Sequence, residues 1–116
     1  MLKEAIAEME TLSAKIEMAK QEALIKLRSS LELLGSYMPL TFDMEFRGFQ
    51  TIRLDGIDVS AYRVGSTSVA EIVEWEHLTA EEILNIYYCL VRATQVTITD
   101  MNDQLKELES VKEYFK

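Results

Sequence analysis

Five glutamates, Glu71, Glu74, Glu76, Glu81 and Glu82, stand within twelve consecutive positions that hold no Lys or Arg. The only histidine, His77, sits inside this run, and the only cysteine, Cys89, follows shortly after it. From these residue types a metal site, an acid–base pair or a thiol nucleophile could be built. A zinc site takes several His or Cys ligands, and this chain has one of each, far apart in sequence. A catalytic thiol needs a neighbouring base and a field that favours the thiolate. Cys89 instead lies between Tyr88 and Leu90 and reads as a reduced packing residue. Hydrolysis by paired carboxylates needs two acids across a cleft, one of them in an apolar setting. Glu74 beside Trp75 comes nearest to that, but runs of like charge are commonly a solvated face. There is no Gly-x-Ser-x-Gly elbow and no phosphate-cradling glycine loop. The expectation is a protein with no catalytic residue, no metal and no cofactor.

What such a run can do is bind. The expected partner-binding residues are Glu71, Glu74, Trp75, Glu76, Glu81 and Glu82. Trp75 is placed among them as an aromatic anchor, the second reading beside core packing, which is its default. The formal charge of the chain is −8, and between Pro39 and Leu78 seven acids face three arginines. Tracking a nucleic-acid backbone takes a basic stripe, and none is present. The expected partner is therefore another protein with a basic surface, rather than nucleic acid or a membrane. No apolar run reaches the roughly 18 residues of a membrane span. Met1-Leu2-Lys3-Glu4 opens on charge rather than on an apolar leader, so the expected location is cytoplasmic.

The elements that hold these residues follow from periodicity. Thr79-Ala80-Glu81-Glu82 is a capping-box start. After it, steps of three and four run through Leu84, Tyr87, Val91, Thr94, Ile98, Met101, Leu105, Leu108, Lys112 and Phe115, with no Pro or Gly. That spacing predicts a helix over about 80–115 whose seam faces another helix. The expected oligomer seam is Leu84, Tyr87, Val91, Ile98, Met101, Leu105, Leu108 and Phe115. A second helix is predicted over about 2–34. Its stripe runs Leu2, Ala5, Met9, Leu12, Ile16, Ala19 and Ala23, then steps by one to Leu24, Leu27, Leu31, Leu34 and Met38. Gly35 is the expected left-handed stop, with Pro39 behind it.

Between the helices the period becomes two. Phe42, Met44 and Phe46 alternate with polar residues, and so do Ile52 and Leu54. Asp55-Gly56 predicts a two-residue hairpin with both residues at positive φ, after which Ile57, Val59 and Ala61 resume the alternation. Gly65-Ser66 predicts a further tight turn. Residues 67–76 are read as a fourth strand, although Ser68-Val69-Ala70-Glu71 could also cap a short helix. The fold class is thus α+β, a single domain over 1–116. Two long helices flank a three- or four-stranded antiparallel sheet over about 40–75. Two helical seams longer than a core of this size can cover predict a homo-oligomer. The function expected is a non-enzymatic interaction module: an adaptor, assembly chaperone or inhibitor. The alternative is an acidic mimic of nucleic acid that blocks a DNA- or RNA-handling enzyme.

Overall fold

The computed structural model describes residues 1–115. Helix α1 spans Leu2–Leu34. The strands are β1 (Thr41–Phe46), β2 (Phe49–Leu54), β3 (Asp58–Tyr62) and β4 (Glu71–Glu74), and a 3₁₀ turn follows at Trp75–His77 before helix α2, Ala80–Tyr114. The strands form one antiparallel meander in the order β1-β2-β3-β4. The protein is α+β, with its two helices flanking this four-stranded sheet.

One face of the sheet builds the core. Phe42, Phe46, Ile52, Leu54, Val59, Ala61 and Val73 point inward, as the period-two pattern requires, and meet Leu24, Leu27 and Leu31 of α1 and Ile83, Ile86, Cys89 and Leu90 of α2. Only the last third of α1 and the first third of α2 take part. In the first turns of α2 the buried residues lie one position to the side of the predicted seam, so Leu84 and Tyr87 stay half exposed.

The helices run in the same direction with a large stagger. Lys20 Nζ donates to the Glu76 carbonyl (2.7 Å), just ahead of α2. Met38, beyond the end of α1, meets Thr97 deep in α2, whose Oγ1 lies 3.6 Å from the Met38 sulfur. Each helix is about 50 Å long at 1.5 Å per residue, yet the molecule extends 79 × 32 × 20 Å. Residues 2–19 of α1 therefore project from one end of the core and residues 98–114 of α2 from the other, and every residue in both arms is exposed.

Two local expectations are corrected, and the helix alternative over residues 67–70 falls to the expected strand, β4. Gly35 has φ −59° and is right-handed. The chain keeps winding, with Tyr37 and Met38 N–H groups bonded to the Leu34 carbonyl, until Pro39 ends it. Asp55-Gly56 is not a positive-φ pair. Asp55 Oδ1 instead accepts from the N–H groups of Ile57 (2.7 Å) and Asp58 (2.9 Å), an Asx turn in which Ile57 stays exposed. Burial works to raise the Asp55 pKa, but these two N–H donors, together with the Asp58 side chain and Arg53, hold the carboxyl below its usual value. The two-residue turn with positive φ is Arg47 (51°) and Gly48 (85°), between β1 and β2. Residues 67–70 do not start a helix, and the chain enters β4 directly.

The turn geometry has a direct test. A Cβ at Gly56 would meet nothing within 4 Å, and at Gly48 the obstacle is the backbone angle. Gly56→Ala is expected to change stability by no more than about 0.5 kcal/mol, and Gly48→Ala to cost about 1 kcal/mol or more. Urea denaturation of the two variants side by side checks the assignment. A larger loss at Gly56 would restore the hairpin to Asp55-Gly56.

Candidate interaction surfaces

The acidic run divides over three settings. Trp75 is fully buried, as its default core reading has it, and not a surface anchor. Its Nε1–H donates to the Asp55 carbonyl (2.7 Å), which ties the 3₁₀ turn to the β2–β3 turn. The short strand β4 alternates, putting Val73 inward and Ile72 outward. The 3₁₀ turn that follows rolls Trp75 into the same core as Val73. Trp75 is thus a core residue and leaves the set of surface anchors.

Glu71 and Glu82 are gathered by Arg47. The left-handed turn at Arg47 aims its guanidinium at the start of α2. Nε bonds Glu82 Oε2 (2.8 Å), Nη2 bonds Glu82 Oε1 (3.1 Å) and the His77 carbonyl (3.2 Å), and Nη1 lies 3.7 Å from Glu71. The guanidinium carbon also stands 5.3 Å from the Phe46 ring centroid. Glu82 closes the predicted capping box as well, accepting from Thr79 N–H (2.9 Å) while its own N–H donates to Thr79 Oγ1 (3.1 Å). The Arg47 bonds are the main reason the Glu82 carboxyl is held below the usual glutamate range, against the opposing effect of burial. Glu76 is paired with Arg28 at 3.3 Å. Glu74 and Glu81 are exposed and make no ion pair with a described residue. The five acids thus do not form one free patch.

Because the folded-state pKa of Glu82 is depressed, its contribution to stability is present at neutral pH. It is lost as pH falls through that lowered value. Arg47→Ala is expected to cost about 1–2 kcal/mol at neutral pH, since bonds to a charged partner are the stronger kind but these are partly screened by solvent. The difference from wild type should shrink in acid, where Glu82 protonates. Urea melts of both proteins across that pH range give the comparison. A gap that does not depend on pH would contradict the pairing.

Cys89 is buried, and burial pushes its thiol pKa up, the opposite of activation. His77 is exposed and contributes its backbone carbonyl to the Arg47 cluster. No group of three or more His, Cys, Asp or Glu among the described residues is placed to hold a metal ion. No helix among them is long and apolar enough to cross a membrane.

The larger surfaces are apolar and lie on the helices. On the α1 arm Leu2, Ile6, Met9, Leu12 and Ile16 are exposed by 44–75%. On the α2 arm Ile98, Met101, Leu105, Leu108, Val111 and Phe115 are exposed by 49–85%. The predicted seam residues Leu84 and Tyr87 (each 49% exposed) belong to a groove of about 720 Å³ where the two helices part, with Ile16, Ala19, Ala23 and Leu27 on its α1 wall. Tyr87 and Tyr88 stand as a tilted pair, centroids 5.8 Å apart. Val91 is partly covered. Leu84 and Tyr87 were expected seam residues and the α1 stripe was one of the two seams from which assembly was expected, but the α1 wall of the groove was not among the expected binding residues. The heptad run from Leu2 to Ala19 was the available signal, since a stripe that far from the core residues Leu24, Leu27 and Leu31 has nothing in its own chain to cover it. No family model, curated protein or solved structure matches the chain.

Proposed function

We propose that the chain is a non-enzymatic protein-interaction module that works as a homo-oligomer. The observation that carries this reading is the pair of helical arms, each with an uncovered apolar stripe continuous with the core stripe of its own helix. Contiguous apolar patches of this extent mark interaction sites in soluble proteins. An adaptor, assembly chaperone or inhibitor is the class of role it supports. The cytoplasm is the setting proposed, because Cys89 is a free buried thiol. A partner with a basic surface would meet Glu74 and Glu81, the two acids of the run left unpaired among the described residues. The alternative, an acidic mimic of nucleic acid, has less support, since Arg47 and Arg28 neutralise Glu71, Glu82 and Glu76.

Light scattering over a concentration series is the test. The expected mass is a multiple of the 13.3 kDa chain. A monomer mass throughout the series would overturn the reading.

A further inference from the structure

We infer that assembly pairs unlike arms: the α1 arm of one copy is covered by the α2 arm of a second copy. This rests on the homo-oligomeric reading and specifies its contact. Within the core, α1 and α2 already run side by side and share a floor of apolar residues. The arm stripes prolong those same two faces beyond the overlap. Met9 and Ile16 continue the row of Leu24 and Leu27, and Leu105 and Leu108 continue that of Ile83 and Leu90, at helical spacing. Each arm therefore lacks the neighbour that the other helix supplies inside the core. The arms project from opposite ends of a 79 Å molecule, so neither can cover the other within one copy.

Length fits the unlike pair: the arms hold 18 residues (2–19) and 17 residues (98–114), so each covers the whole of the other. The groove walled by Ile16, Ala19 and Ala23 continues the α1 arm inward and lengthens the lane. Each large apolar side chain offers about 60–120 Å². With five such side chains on one arm and six on the other, one arm pair buries about 1,000 Å², the lower bound for a specific contact, and the parallel direction kept from the core joins copies head to tail with one arm pair at each junction.

Two variants of the full chain test the pairing. Ile6→Asp with Met9→Asp spoils the α1 arm, and Leu105→Asp with Leu108→Asp spoils the α2 arm. All four sites are exposed, so folding is expected to survive, and circular dichroism together with the buried-Trp75 fluorescence checks it. Each variant alone should lose its assembled mass. Mixed in equal amounts, they should associate again, because one supplies an intact α1 arm and the other an intact α2 arm. If either variant alone keeps the full wild-type mass, or if the mixture stays monomeric, unlike pairing is wrong. A wild type that is itself monomeric fails the homo-oligomeric reading instead, so the two failures are distinguishable.

Discussion

Trp75→Ala is expected to destabilise the domain by about 3–5 kcal/mol, the largest loss from any single side-chain truncation considered. Trp75 is the largest side chain in the core with no exposed surface, and the sheet and both helices close around it. The loss has two parts. The cavity removes packing on every side, and the Asp55 carbonyl loses the indole N–H at 2.7 Å. Trp75→Phe separates them. It keeps most of the volume and breaks only the hydrogen bond, so it should cost about 1–3 kcal/mol. Since domains of this kind are stable by only about 5–15 kcal/mol, the alanine variant is expected to show a large shift in the urea midpoint. A loss under about 1 kcal/mol would return Trp75 to the surface.

The second large effect concerns assembly rather than folding. Leu105→Asp with Leu108→Asp puts two carboxylates into the middle of the α2 stripe, where both leucines are more than half exposed in the single chain. In a monomer that change is nearly free. In an assembly it strands unpaired charge in an apolar seam, at about 3–5 kcal/mol, or a dissociation constant raised by about 100- to 1,000-fold or more. Light scattering should show the mass falling to that of one chain, while Trp75 fluorescence reports an intact core. Mass and fluorescence both unchanged would mean that the seam faces solvent.

The elements were legible because their signals are long or chemically specific. The capping box at Thr79–Glu82 formed as its residue types require, and the period-two runs became β1 to β3. The turns were harder to read. Asp55-Gly56 suits a hairpin by composition, but the Asp55 carboxylate found two backbone donors in a wider turn, while Arg47, not a usual residue for positive φ, is held there by Glu82. Trp75 could be read as core or as anchor: its bulk favours the core, its place in a run of glutamates put it among the binding residues, and only the alternation of β4 and the 3₁₀ turn show which way it points. The acidic run looked like one patch because sequence order does not reveal that Arg47, 24 residues before Glu71, folds back onto it. The relative direction and stagger of the helices follow from the meander between them, and no residue pattern encodes that.

The central claim is that both arms are covered by another chain, and hydrogen exchange reads this residue by residue. A helical arm with no packed face is held by helix propensity alone, frays from its free end, and its amides exchange readily. If the arms are paired, the amides of residues 2–19 and 98–114 will be strongly protected at concentrations where the protein is assembled, and protection will fall on dilution while that of Ile52, Val59 and Ala61 in the sheet persists. Arms that exchange at the rate of unstructured peptide at every concentration, beside a protected sheet, would contradict the account.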